Sequence, residues 1–174
     1  PEHPFPAPLD DAIAAWRWLH ANATKLALPT NRLGVAGDSA GANLAIGVSL
    51  RERDVGHEMP RATACFYGAF APTFNTSSYR ELGDGRFGLT TERMRWYWEQ
   101  YLGTDPASLG DDYLRDPYLS PLYSQHLHRF PPSLVITAAC DVLHDEGVAF
   151  TSRLRQNSVP VEHIDVPGQI HGFL

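Results

Sequence analysis

The feature that most constrains the fold of this chain is the Gly-Asp-Ser-Ala-Gly sequence at residues 37–41. It lies between an apolar segment that ends at Ala36, typical of a buried strand, and a segment with helical spacing that starts near Ala42. Where a strand turns directly into a helix, the serine at the centre of the turn has a strained backbone, and its hydroxyl is lifted clear of the sheet. The flanking glycines allow the strand and the helix to approach closely. The pattern predicts an exposed Ser39 at a strand end.

The main alternative for Ser39 is an ordinary helix-capping serine. The paired glycines, with a strand before them and a helix after them, favour the strand-to-helix turn. In that turn the backbone N–H of Ala40 is placed to meet a developing oxyanion. We therefore expect Ser39 to be a nucleophile and Ala40 an oxyanion donor, whereas Asp38 serves the local turn and takes no chemical step.

Apolar strand patterns alternate with helical patterns along the chain. Strands are predicted at 32–36, 62–70, 133–139 and 161–166, and helices at 9–22, 42–53, 90–102 and 142–157. Three of the strands are short, continuous apolar runs, which are typical of strands buried on both faces. The sequence therefore predicts an α/β fold with a mostly parallel sheet and helices on both faces.

The interval 72–132 differs from the rest and is interpreted as a helical and loop insertion between strands of a single domain that spans 1–174. Its main helix carries Met94, Tyr97, Trp98, Tyr101 and Leu102 on one broad face. Such a face usually packs on the core. The alternative is that some of these rings form the wall of a substrate pocket.

Composition excludes several classes of protein. With 174 residues and 43% apolar residues the chain fills one sizeable core, and its net charge of −6 leaves no basic face for a nucleic acid. No apolar run approaches the ~20 residues of a membrane span. Cys65 and Cys140 lie in apolar segments, which favours free buried thiols and a reduced, cytoplasmic location.

A serine nucleophile requires a base and an acid that orients the base. Asp141 directly follows the predicted strand 133–139, and His171 follows the strand 161–166 through a short loop. Both therefore lie at the carboxyl ends of strands, where ligands bind in open α/β sheets. Asp145 and Glu146 are rivals of Asp141, but they fit the first turn of a helix, where capping and the helix dipole explain them.

No cofactor or metal is expected. His171 alone among the histidines has the position of a general base, and the others lack the spacing of metal ligands on one helix face. The glycine-rich stretch 83–88 has neither the P-loop lysine nor the dinucleotide-binding pattern. The predicted partner is a small-molecule substrate.

Four motifs carry a resemblance to a known family. They are the proline-rich residues 1–8 before a helix that begins with two aspartates, residues 37–45, residues 141–147, and the His-Gly-Phe at 171–173. Together they resemble the hormone-sensitive-lipase-like esterases. Within that family, the stretch 67–102, with Tyr-Gly at 67–68, Leu-Gly at 82–83, Leu-Thr at 89–90 and Tyr-Leu at 101–102, is most similar to the bacterial acetyl esterases. The resemblance implies an α/β-hydrolase fold, cofactor-free hydrolysis of short-chain acyl esters through an acyl-enzyme, and a triad of Ser39, Asp141 and His171.

The chain departs from the family pattern in two ways. Val142 stands where the family usually has a proline after the catalytic aspartate. The family's first strands, its His-Gly-Gly-Gly oxyanion stretch and its last helix do not lie within residues 1–174. We therefore expect an internal piece of a longer esterase whose isolated form is poorly folded and weakly active or inactive, with the strand before Ser39 at an exposed edge.

Three functions remain open at this point. The first is a carboxylic ester hydrolase that acts on short-chain acyl esters. The second is an amidase or peptidase with the same triad, because the sequence at 37–41 does not indicate the leaving group. The third is a small-molecule binding protein that keeps the fold without catalysis.

Overall fold

A computed structural model describes residues 2–174. Four parallel strands form one sheet in the order β1-β2-β3-β4. Their bounds are β1 Val35–Asp38, β2 Thr63–Phe66, β3 Ser133–Cys140 and β4 Val161–Ile170. The helices are α1 Ala7–Asn22, α2 Ala40–Asp54, α3 Ser77–Leu82, α4 Thr91–Leu102, α5 Asp111–Leu114 and α6 His144–Gln156. The predicted parallel α/β architecture is confirmed.

Helices α2 and α6 bury one face of the sheet. Ile46 and Leu50 of α2 and Phe150 of α6 pack against Cys65 of β2 and Val135 of β3 in a single core. Because the strand order follows the chain order, right-handed crossovers place the successive connecting helices on the same side of the sheet.

The opposite face of the sheet carries a different set of side chains. Phe66, Leu134 and Ile136 are half-buried there, and Ile164 is 41% exposed. Within residues 2–174, the extensive helix-to-sheet packing lies on the face that α2 and α6 cover.

Helix α1 packs on the outer side of α2. Leu9, Ile13 and Trp16 of α1 are buried against Val48 of α2. The two helices approach so closely that a β-carbon added to Gly47 would lie 2.7 Å from Leu9 Cδ1. This contact fixes α2, and therefore the turn at its beginning, against the rest of the chain.

Three strands end two or more residues away from their predicted ends. β1 runs on to Asp38, so it contains the first two residues of the 37–41 motif. β2 ends at Phe66, four residues early, because Tyr67 adopts φ of 38° and turns the chain out of the sheet. β4 continues to Ile170, which brings its end next to His171.

The interval 72–132 contains α3, α4 and α5. Met94, Trp98 and Leu102 of α4 are buried in a second core with Tyr79 of α3 and Val142 after β3. The predicted helix at 90–102 therefore matches α4. The short helix α3 was not predicted; the side chain of Thr76 caps it by accepting a hydrogen bond from Tyr79 N at 3.3 Å.

Both cysteines are free. Burial raises the pKa of the Cys65 thiol to about 12, which keeps it protonated and unreactive at neutral pH. Among residues 2–174, no helix is long and apolar enough to cross a lipid bilayer.

Candidate active site

The 37–41 motif forms the strand-to-helix turn that the sequence predicts. Ser39 connects β1 to α2 with φ of 52° and ψ of −119°, a conformation that costs free energy for any residue with a β-carbon. Gly37 is required here, because a β-carbon on it would lie 2.1 Å from the Gly41 carbonyl oxygen. Gly41 is less constrained, since its own β-carbon would lie no closer than 3.8 Å to Asp38 Oδ1.

Strand register brings the site together from both sides. Cys140 of β3 pairs with Ile170 of β4, so Asp141 and His171 emerge next to each other at the carboxyl end of the sheet. In the same way Asp38 pairs with Phe66, and Ser39 N donates a hydrogen bond to Phe66 O at 2.9 Å. Parallel strands therefore deliver residues from distant parts of the chain to one edge.

The three predicted triad side chains are in contact. His171 Nε2 lies 3.0 Å from Ser39 Oγ, and His171 Nδ1 lies 2.7 Å from Asp141 Oδ2. The tautomer with its hydrogen on Nδ1 satisfies both contacts, because Nδ1 then donates to the carboxylate and Nε2 accepts from the hydroxyl. This is the hydrogen-bond order that activates a serine.

Asp141 is held in one orientation by burial and by the backbone. Its side chain is 1% exposed, and its second oxygen, Oδ1, accepts a hydrogen bond from Leu143 N at 2.9 Å. A carboxylate in such a dry site stabilises an imidazolium more strongly than one in water does. Val142, which replaces the expected proline, is buried in the second core and leaves the carboxylate in place.

Tyr67 supports the imidazole and was not predicted. Its ring meets the His171 ring edge to face, with centroids 4.9 Å apart, and it also contacts Phe173 at 5.5 Å. The contact follows from the sheet register, because Tyr67 leaves β2 beside the residue that follows β1. Because the predicted strand 62–70 included Tyr67, the sequence pattern did not indicate this contact.

A cavity of about 420 Å³ opens beside Ser39 and His171. Its walls are mainly apolar and aromatic, and its lining includes Ala40, Asn43, Leu44, Ala69, Leu89, Met94, Tyr97, Trp98 and Tyr101. Helix α4 therefore does two things: Met94 and Trp98 pack in the second core and also form one wall of this cavity. The face therefore packs on the core, and the same two residues border the cavity, while a substrate-binding role for these rings stays a prediction.

The buried polar side chain of Asn43 ties the cavity wall to two neighbouring loops. Asn43 Nδ2 donates to Ala69 O and to Leu119 O, both at 3.0 Å. Through Leu119, the loop after α5 supports α2 next to the turn that contains Ser39. Asn43 is 3% exposed, and a lone polar residue within the apolar start of α2 was the sequence signal for it.

Asp145 and Glu146 lie in the first turn of α6, as predicted. Asp145 Oδ2 accepts a hydrogen bond from Ser78 N at 2.9 Å. Glu146 is fully buried, and its Oε2 accepts from Phe70 N at 2.6 Å and from Ala71 N at 3.0 Å. Burial raises the pKa of Glu146 to about 8, against the opposing effect of these N–H groups. Neither acid caps α6 itself: Asp145 receives an N–H from the start of α3, and Glu146 bridges to the segment after β2.

Within the part of the chain that the structure describes, no group of three or more His, Cys, Asp or Glu side chains is arranged to hold a metal ion. His163 and His144 have other partners. His163 Nε2 lies 3.0 Å from Thr137 Oγ1, and His144 lies between Asp145 and Asp165. A larger groove of about 550 Å³ lies at the opposite end of the sheet, lined by Trp16, Glu52, His57 and Arg61 among others.

Comparison with known proteins gives a consistent result. A family model described as alpha/beta hydrolase fold matches residues 1–174. An ethyl acetate hydrolase of Pseudomonas putida is 35% identical over 100% of this chain and 53% of its own length. The carboxylic ester hydrolase LipN of Mycobacterium tuberculosis is 37% identical over 100% of this chain and 46% of its own length. The chain thus spans about half the length of these curated relatives.

Solved structures agree with the fold. A thermostable esterase from Pseudomonas putida superposes with a TM-score of 0.91 at 33% identity, over 99% of this chain and 53% of that protein. An ester hydrolase from the metagenome of Lake Arreo, solved with a bipyridine phosphonate derivative, superposes with a TM-score of 0.89 at 38% identity, over 99% of this chain and 52% of that protein.

Proposed function

This chain belongs to the α/β-hydrolase family, and from that premise we propose that it carries the catalytic serine, acid and histidine of a carboxylic ester hydrolase. Ser39 is the nucleophile, His171 the general base and acid, and Asp141 the residue that orients the imidazole. The observation that carries the proposal is the continuous contact from Asp141 through His171 to Ser39, at 2.7 and 3.0 Å.

Acylation follows from these contacts. Ser39 Oγ attacks the acyl carbon while its proton passes to His171 Nε2, and Asp141 stabilises the resulting imidazolium. The negative oxygen of the tetrahedral intermediate accepts from the N–H of Ala40, which is the first residue of α2 and so has no partner within that helix. His171 then returns the proton to the departing alcohol, leaving an acyl-serine.

Deacylation uses the same groups. Water replaces the alcohol, and His171 removes its proton as the oxygen attacks the acyl carbon. The intermediate collapses, Ser39 recovers its proton from His171, and the carboxylic acid leaves. The cycle needs no cofactor.

The size of the cavity supports short acyl chains. A volume of about 420 Å³ lies near the lower end of the range for small-molecule sites, and the buried ring of Trp98 limits it on the α4 side. The name of one relative, an ethyl acetate hydrolase, also supports a short acyl chain. We assign short-chain esters as the substrate class.

The test is hydrolysis of p-nitrophenyl acetate and of the matching anilide by the full-length protein, before and after Ser39→Ala. We expect ester turnover in the unaltered protein and a loss of at least about 10⁴-fold in the variant. Faster turnover of the anilide would instead identify an amidase. Ester turnover that survives Ser39→Ala would contradict the proposal.

A further inference from the structure

Glu146 is a buried acid for which the reaction cycle gives no role. It is fully buried at the start of α6, one turn beyond Asp141. Its two hydrogen bonds come from backbone N–H groups, those of Phe70 and Ala71. Its other oxygen, Oε1, has no partner of hydrogen-bond geometry in 2–174, although the Tyr79 hydroxyl lies near enough to lower the pKa of the carboxyl group. Burying a carboxyl group with so few polar partners is costly, so the two bonds that it makes are its evident contribution.

The segment that Glu146 holds is the one behind the nucleophile. Residues 67–71 follow β2 and run beside the turn at Ser39. Ala69 N donates to Ser39 O at 3.3 Å, and Ala69 also lines the cavity. At the start of the segment the ring of Tyr67 packs against His171. Residues 67–71 therefore contact the serine through the backbone of Ala69 and the histidine through the ring of Tyr67.

This segment has no regular secondary structure to fix it. Tyr67 has a positive φ of 38°, and the chain from there to Ala71 lies outside the strand. Gly68 admits no side chain, because a β-carbon there would lie 2.4 Å from the Phe70 ring. At the far end of the segment the Glu146 carboxyl group is what receives the N–H groups of Phe70 and Ala71, so it takes the place that a neighbouring strand would occupy.

We propose that Glu146 is a positioning residue for acyl transfer, which holds residues 67–71 so that Ser39 and His171 stay in reactive register. The inference rests on the ester hydrolase function proposed above. Either protonation state of Glu146 presents an acceptor oxygen to the two N–H groups, so the role belongs to the acceptor and not to a charge. Asp145, the neighbouring acid, accepts from Ser78 N of α3 and not from the N–H groups of residues 67–71.

The experiment measures the rate at which a fluorophosphonate labels Ser39 in the full-length protein, together with kcat and KM for p-nitrophenyl acetate. Glu146→Ala removes the acceptor, and we expect the labelling rate and kcat to fall about 10- to 100-fold with KM changed less than about 3-fold, because small misplacements of reacting groups have effects of that size. Glu146→Gln keeps an acceptor oxygen in the same place and should retain both rates within about 3-fold.

Glu52→Ala is the matched control. Glu52 is equally buried in α2 but lies at the opposite end of the sheet, so its loss should lower stability without slowing the labelling of folded molecules. Should Glu146→Ala not fold, Glu146→Asp supplies the test, since it shortens the side chain by one methylene and should slow labelling while the protein stays folded.

Three results would overturn the positioning role. The first is labelling of Glu146→Ala at the wild-type rate or, where that variant does not fold, labelling of folded Glu146→Asp at the wild-type rate. The second is a labelling rate that falls equally in Glu146→Ala and Glu146→Gln, and the third is an equal fall in Glu52→Ala. A wild-type protein that neither reacts with the probe nor hydrolyses the ester would instead contradict the proposed function. The two failures are therefore distinguishable.

Discussion

The two ends of helix α2 are built on different principles. At its beginning, Ser39 has a strained backbone, and Glu146 lies behind it with no basic side chain among its hydrogen-bond partners. At its end, the equally buried Glu52 accepts from Arg17 Nε at 3.0 Å and from its Nη2 at 2.7 Å. The larger groove lies at this second end, and Arg17 and Glu52 in its lining form an ion pair with each other.

The difference shows where this fold stores unfavourable free energy. Strained backbone and incompletely partnered buried groups persist only where the surrounding structure enforces them, and they concentrate at functional sites. A satisfied ion pair beside a groove is a structural feature, whereas backbone strain beside a smaller cavity supports the proposal that the serine end of α2 is the reactive one. Cavity size alone would favour the opposite end of the sheet.

The largest expected effect separates the two ends directly. Asp141→Asn preserves the acceptor for Leu143 N but forces His171 into the wrong tautomer, so kcat should fall about 10⁴-fold with little change in thermal stability. Glu52→Gln at the other end should lower the melting temperature and leave kcat unchanged. A variant of Glu52 that loses turnover, or one of Asp141 that keeps it, would remove the distinction.

The glycines of the turn give the next largest effect. Gly37→Ala places a β-carbon 2.1 Å from Gly41 O, and we expect it to cost about 3 kcal/mol of stability or more, together with activity. Gly41→Ala meets nothing closer than 3.8 Å and lies in the first turn of α2, so it should be neutral or stabilise by up to about 1 kcal/mol. Chemical denaturation of both variants measures this, and equal losses would contradict it.

A change at Trp98 in the cavity wall should alter the preference for the length of the acyl chain. Trp98→Ala enlarges the cavity on the α4 side, so the ratio of kcat/KM for the hexanoate ester to that for the acetate ester should rise about 10-fold. Trp96 is the control on the same helix, because it is 51% exposed and does not line the cavity. Trp96→Ala should leave the ratio unchanged, and a shift there would locate the acyl site elsewhere.

The smallest effect, taken per pH unit, is a pH dependence of stability at the serine end of α2. Burial raises the pKa of Glu146 from 4.5 to about 8, with Asp141 adding to the rise and the N–H groups and Tyr79 opposing it. Because folding raises the pKa of this acid, protonated Glu146 contributes its full share to the stability of the folded protein below pH 4.5. That contribution is lost as the pH rises through 8.

The free energy of unfolding of the wild-type protein should therefore fall more steeply than that of Glu146→Gln between pH 5 and 8.5, by at most about 1.4 kcal/mol per pH unit. Urea denaturation at several pH values measures the difference. Parallel curves for the two proteins would contradict the raised pKa.

Sequence patterns predicted the strands, α4 and the turn at Ser39 because each depends on local periodicity or on a short motif. The approach of Asp141 to His171 was predictable too, because both follow parallel strands. Tyr67 and Glu146 were not predicted as supports, since their partners are backbone or ring groups that meet them only through the strand register.

The central claim is that Ser39, Asp141 and His171 act as one reactive unit, and covalent labelling tests it most directly. Mass spectrometry of the full-length protein after reaction with a fluorophosphonate should find one adduct per chain, on the peptide that contains Ser39, and His171→Ala should prevent its rapid formation. Ester hydrolysis without an adduct on Ser39, or an adduct on another residue that abolishes activity, would contradict the account.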